Sequence, residues 1–125
     1  MKRGVVMRKL LVVDDEKDIC DFVKNFFQER GYDVSTAGSG EEALDAVKNN
    51  KPELILLDIK MKGMDGIAAL KHIKEFDKTM KVVMVTALED QDKMNEACKL
   101  GACEYITKPL VLDHLEQAVE KNFKI

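Results

Sequence analysis

The chain has 125 residues, 46% of them hydrophobic, with 20 basic and 23 acidic side chains and a formal net charge of −3. That size and composition fit one domain with one real core and exclude a disordered chain. The mildly acidic balance argues against a surface that tracks nucleic-acid phosphates, and no apolar run nears the ~20 residues of a membrane span.

In chain order, Met1–Met7 carries Lys2 and Arg3, and the apolar stretch after it is broken by Arg8 and Lys9 and ends in acids, which is not a secretory signal. Leu10–Leu11–Val12–Val13 is a continuous apolar run ending at Asp14–Asp15, as expected of a strand buried on both faces. Ile19, Phe22, Val23, Phe26 and Phe27 then recur at helical spacing, and Gly31 closes that helix. Tyr32–Ala37 reads as a second strand. Ser39-Gly-Glu-Glu42 is a capping box that opens a helix with Ala43, Leu44 and Val47 inside. Leu54–Ile55–Leu56–Leu57, after Pro52, is a third buried strand ending at Asp58.

Lys60–Gly66 is rich in turn residues, and Asp65 can cap a third helix carrying Ile67, Leu70, Ile73 and Phe76. Val82–Val85 is a fourth strand ending at Thr86. A helix from about Asp90 to Leu100 has a thin apolar face of Met94, Ala97 and Cys98 and stops at Gly101. Glu104–Thr107 is a short fifth strand before Lys108–Pro109, and a fifth helix carries Leu112, Leu115, Val119 and Phe123. Cys20, Cys98 and Cys103 have no metal-type spacing and read as small buried hydrophobes in a reducing compartment. His72 and His114 lie alone in helical patterns and read as ordinary surface or half-buried residues.

Five strands alternating with five helices predict a doubly wound α/β fold with a parallel sheet. Right-handed crossovers then put the C-terminal end of every strand on one edge, where ligand chemistry collects in such sheets. That edge receives Asp14 and Asp15, Asp58, Thr86 and Lys108. Two carboxylates ~4 Å apart repel by about 4 kcal/mol at an effective dielectric near 20, so three need compensation. A divalent cation supplies it, and an oxygen-only donor set suits Mg²⁺. A carboxylate beside such a cation is a nucleophile toward phosphoryl groups, whose transfer needs alignment and charge neutralisation above all.

The acid pair in LLVVDDE, the acid in LILLDIKMKGMDG, the hydroxyl in VVMVTA and the GACEYITKP segment resemble, in order and spacing, the receiver domains of bacterial two-component systems. The resemblance covers almost the whole chain, 1–125 as one receiver domain, and implies the flavodoxin-like strand order 2-1-3-4-5. It implies that Asp58 accepts a phosphoryl group from a histidine kinase or phosphotransfer protein. It implies Mg²⁺ held by Asp15, Asp58 and the Lys60 backbone carbonyl, with Asp14 acting partly through water. Thr86 and Lys108 would bind the phosphoryl group. Tyr105 matches the switch aromatic that turns inward as Thr86 moves. The Lys108–Pro109 bond matches a position usually cis.

Further expectations are a partner surface on helix four, strand five and helix five, a cytoplasmic location, and neither direct nucleic-acid binding nor membrane insertion. The chain is read as a phosphoacceptor that assists its own phosphorylation and dephosphorylation, and as no turnover enzyme. Lys62 stands where the family usually has proline, Leu110 where it has phenylalanine, and Lys60 is an uncommon residue two past the acceptor. Lys60 is expected at the site mouth, tuning phosphoryl lifetime. DIKMKGMDGI and the end at Ile125 most resemble the stand-alone receivers of sporulation phosphorelays, although a receiver cut from a longer regulator stays open. A haloacid-dehalogenase-type phosphatase would need an acid at position 60, and a flavin binder a glycine- and hydroxyl-rich loop where DDE stands. A receiver that only binds partners would not need the full acidic set.

Overall fold

The computed structural model describes residues 8–87 and 90–123. The N-terminal segment read above as no signal lies outside them. The elements are β1 (Lys9–Val13), α1 (Lys17–Gln28), β2 (Asp33–Ala37), α2 (Gly40–Asn50), β3 (Leu54–Asp58), α3 (Gly66–Phe76), β4 (Lys81–Thr86), α4 (Gln91–Lys99), β5 (Glu104–Thr107) and α5 (Leu112–Phe123). The strands form one parallel sheet in the order β2-β1-β3-β4-β5, as expected.

Strand side chains alternate between faces, and each apolar run therefore feeds two cores. Leu11, Val13, Ile55, Leu57 and Met84 pack with Ala43, Val47, Leu70, Ile73, Met94 and Ala97 from α2, α3 and α4. Leu10, Val12, Leu54, Leu56, Val83 and Val85 pack on the other face with Cys20, Val23 and Phe27 of α1 and Leu115 and Val119 of α5. Burying one such Leu or Val contributes about 1.5–3 kcal/mol. β3, the middle strand, is buried at every residue, including its last, Asp58.

Local signals are mostly realised, with shifts. Ser39 Oγ accepts from the Glu42 N–H at 3.1 Å, but the Glu42 carboxylate accepts from Gly38, at 2.9 Å, rather than from Ser39. The capping box is thus open by one residue, and it is the N–H before the cap that gains the partner. Asp65 Oδ1 accepts from Ala68 N–H at 2.9 Å and starts α3. Phe22 and Phe76, expected on apolar faces, are half exposed. On α1 the sheet is met by Cys20, Val23 and Phe27, and Phe22 sits about 100° around the helix from Val23. His72 and His114 are exposed, as read.

The cysteine reading is corrected. Only Cys20 is a buried thiol; Cys98 and Cys103 are exposed and joined as a disulfide. The cause is the turn that ends α4. Gly101, at φ +106°, follows Leu100, its N–H donates to the Cys98 carbonyl at 2.9 Å, and the Ala102 N–H donates to the Ala97 carbonyl at 2.9 Å. This is a Schellman closure, which needs a left-handed residue that glycine supplies without Cβ strain. It reverses the chain and brings the Cα atoms of Cys98 and Cys103 to 4.2 Å. Apolar anchoring of α4 is correspondingly thinner than expected, resting on Met94 and Ala97.

Candidate functional site

Five expected groups sit at the C-terminal strand edge because apolar strands run up to it and stop. Val13 is the last β1 residue before Asp14, Asp58 ends β3 beside Val85, and Thr86 ends β4 beside Thr107. The Lys108 N–H donates to the Thr86 carbonyl at 2.8 Å, which extends the β4–β5 ladder and fixes where Lys108 leaves the sheet. The Lys108–Pro109 bond is cis, as the resemblance implied. The loop after β3 is held by Gly66, whose N–H donates to the Ile59 carbonyl at 2.7 Å. A Cβ there would run into the Asp58 carbonyl oxygen, so only glycine lets α3 start so near the end of β3.

Asp14, Asp15 and Asp58 each offer a carboxylate oxygen within 4.8 Å of the others. Asp14 and Asp58 are buried and Asp15 is exposed at the rim. Asp14 Oδ1 accepts from the Glu16 N–H at 2.9 Å, and Asp15 Oδ2 from the Lys62 N–H at 3.0 Å. The latter bond ties the loop that lacks proline back to the acid pair. Lys108 Nζ lies 3.1 Å from Asp58 Oδ2 and 3.7 Å from Asp14 Oδ2. One ammonium therefore faces the two buried carboxylates, while Asp15 at the rim has a backbone N–H as its partner.

Burial pushes the Asp58 carboxyl up to about 6; Asp14 adds to the rise, while Lys108 and the Lys60 N–H oppose it. For Lys108, burial acts to lower the ammonium's pKa, but the hydrogen bond and charge of Asp58, with Asp14 and Glu16, outweigh it and the net shift is upward. A buried carboxylate disfavoured by burial and by a neighbouring acid, with two further carboxylates beside it as oxygen ligands, is the setting a hard divalent cation fits.

Other expected residues are distributed around this centre. Thr86 is buried, and its hydroxyl donates to the Ala87 carbonyl at 3.1 Å. Tyr105 is on the same sheet edge strand, β5, and is 47% exposed. Lys60 lines a cleft of about 400 Å³ with Asp15, Met61, Lys62, Asp65 and Lys93, and its ammonium lies 3.8 Å from Asp90 Oδ1. Asp90, the residue preceding α4, was not singled out from sequence; its second carboxylate oxygen is buried with no hydrogen-bond partner among the described residues. No sequence spacing links positions 60 and 90, so that pairing was legible only in three dimensions. No helix among the described residues is long and apolar enough to cross a membrane.

Strand order and this acid–lysine edge define a parallel α/β domain of the receiver class. Residues 10–120 match the family described as response regulator receiver domain, and the chain belongs to it. It is a phosphoacceptor switch of two-component or phosphorelay signalling. It is 39% identical over 113 residues to sporulation initiation phosphotransferase F of Bacillus subtilis, covering 90% of this chain and 91% of that one. It is also 39% identical to the transcriptional regulatory protein ZraR of Escherichia coli over 112 residues, 90% of this chain but 25% of ZraR. Identity thus does not choose between a short receiver and the receiver part of a longer regulator. Among solved structures, CheY in a complex described as CheX-CheY-BeF3-Mg²⁺ from Borrelia burgdorferi superposes with a TM-score of 0.87 at 34% identity, covering 94% of this chain and 90% of that chain.

Proposed function

We propose that Asp58 is the phosphoacceptor of this switch and that a histidine kinase or histidine phosphotransfer protein is the donor. The observation that carries the reading is a buried carboxylate, itself hydrogen-bonded by Lys108 at 3.1 Å, within a trio of acids that lacks charge balance. An Asp58 oxygen attacks the phosphorus of the donor's phosphohistidine; the new O–P bond forms as the N–P bond breaks, and the electron pair leaves with the imidazole nitrogen. Asp14, Asp15, Asp58 and the Lys60 backbone carbonyl are the ligands proposed for Mg²⁺. When bound, the cation offsets the carboxylates' charge and that of the phosphoryl oxygens. The Borrelia relative named above with BeF3 and Mg²⁺ supports that choice of metal.

Lys108 binds a phosphoryl oxygen with the ammonium that otherwise pairs with Asp58. Thr86 leaves the Ala87 carbonyl to bind another, and Tyr105 turns into the space vacated. The surface of α4, β5 and α5 then differs between the two states and is the face for a downstream protein. Lys60 guards the exposed side: a protonated lysine has no acceptor atom and cannot activate water for hydrolysis. The whole chain is one receiver unit acting in the cytoplasm, without binding nucleic acid and without catalytic turnover. The test is intact-protein mass spectrometry after incubation with acetyl phosphate and Mg²⁺. The wild type is expected to gain one phosphoryl mass and Asp58→Asn none; a full gain on the Asn variant overturns the assignment.

A further inference from the structure

We propose that Cys98 and Cys103 form a reversible thiol–disulfide site that sets how readily the α4–β5 region responds to phosphorylation. The backbone prepares the pair. The Schellman turn at Gly101, made by backbone hydrogen bonds that involve neither sulfur, reverses the chain across five positions, and in the bridged pair the two Cα atoms lie 4.2 Å apart. Both residues are exposed, so a small disulfide or thiol can reach them, whereas Cys20 is buried beneath Asp14 and Ala37, whose carbonyls its sulfur faces.

The chemistry needs a co-reactant of the low-molecular-weight disulfide class, such as oxidised glutathione. One cysteine thiolate attacks a sulfur of that disulfide, a mixed disulfide forms, and the first small thiolate leaves. The second cysteine attacks the mixed disulfide at the protein sulfur, the Cys98–Cys103 bond forms, and the second small thiolate leaves. Two electrons pass from the cysteines to the small disulfide, and the two protons lost end on the two released thiols. Excess reduced glutathione runs the sequence backwards.

The consequence follows from what the ring ties. Cys98 lies in the last turn of α4, a helix whose buried anchors are Met94 and Ala97. Cys103 precedes β5, two residues before Tyr105, which pairs with Met84 in the sheet. Closing the ring fastens the helix to the strand in the arrangement where Tyr105 is exposed and the Thr86 hydroxyl donates to Ala87. Opening it lets α4 and β5 re-seat separately. The closed form should therefore bind a phosphate mimic more weakly, by about fivefold, and by reciprocity the mimic should shift the pair toward the dithiol by the same factor. This coupling rests on Asp58 being the acceptor; the thiol chemistry does not.

The full chain is equilibrated in glutathione buffers from reducing to oxidising, alkylated under denaturing conditions, and weighed intact. The expected count moves reversibly from three alkylated cysteines to one, Cys20. Cys98→Ser and Cys103→Ser should each lose the transition. Beryllofluoride with Mg²⁺ is then titrated into the open and closed forms, read by amide chemical shifts, with the Cys98→Ser variant expected to match the open form. Cys98 and Cys103 that both alkylate in every buffer, or in none, overturn the site. Equal beryllofluoride affinity in both forms overturns the coupling. Binding by neither form overturns the coupling through failure of the Asp58 reading, and Asp58 labelling of the reduced wild type separates that case.

Discussion

At the N-terminal ends of the strands, Lys9 and Lys81 donate to the carbonyls of Asn50 and Asn122, at 3.3 and 2.8 Å, and Lys121 pairs with Glu104 at 3.3 Å. A groove of about 350 Å³ at that edge has Arg8 and Lys81 against Glu53 and Asp77. Its charges balance and mostly face water. At the C-terminal ends, three carboxylates cluster, the two buried ones, Asp14 and Asp58, share the Lys108 ammonium, and Asp15 lies exposed beside them. Both edges are concave and polar. What separates them is buried charge without balance, which folding alone would not favour and which a bound divalent cation would offset.

Lys108→Met should slow phosphorylation by acetyl phosphate about a hundredfold, the usual scale for losing one preorganised electrostatic donor. Lys81→Met, at the opposite edge, should leave the rate unchanged. Time-resolved intact mass spectra compare them, and equal slowing would erase the distinction between the edges.

Stability offers the next test. Because the folded-state pKa of Asp58 is raised from 3.8 to about 6, its contribution favours folding below about 4 and is lost as pH rises through about 6. Asp58→Asn removes that penalty. It should raise unfolding free energy in Mg²⁺-free buffer by about 1–3 kcal/mol at pH 7.5, with the gain fading near pH 4. Asp33→Asn, at the other edge, should stay within about 0.5 kcal/mol. Urea denaturation at the two pH values reads both.

Metal dependence is smaller. Millimolar Mg²⁺ should raise the wild-type melting temperature by a few degrees, and Asp15→Ala should abolish the rise. Protons compete with the cation for Asp58, so Mg²⁺ affinity should fall about tenfold per unit below pH 6. A pH-independent affinity would separate the cation from Asp58. The smallest effect concerns Lys60. Lys60→Asn should speed loss of the phosphoryl label several-fold without preventing labelling; unchanged or slower decay would remove Lys60 from control of hydrolysis.

The sequence carried the strand ends well because the relevant signal is one-dimensional. Leu10–Val13, Leu54–Leu57 and Val82–Val85 each run apolar and then stop at Asp14, Asp58 or Thr86, and a parallel sheet leaves those stops one edge to share. It failed where the outcome depends on how the chain reverses. CKLGAC reads as a helix end, and only the Gly101 turn shows Cys103 doubling back to Cys98. The Lys60–Asp90 approach joins two loops with no common period. The Glu42 side chain had two N–H groups in reach and took Gly38. The Thr86 hydroxyl could be assigned to the edge, but not its hydrogen bond to Ala87.

The proposed role of the unbalanced edge is to hold a phosphoryl group on one particular carboxylate, Asp58. Its most direct test is to phosphorylate the wild type with acetyl phosphate and Mg²⁺, trap the acyl phosphate by borohydride reduction, and map the resulting homoserine by peptide mass spectrometry. Homoserine at position 58 alone is the expected result. Homoserine at Asp14 or Asp15, or at no position in a protein that has gained phosphoryl mass, would contradict it.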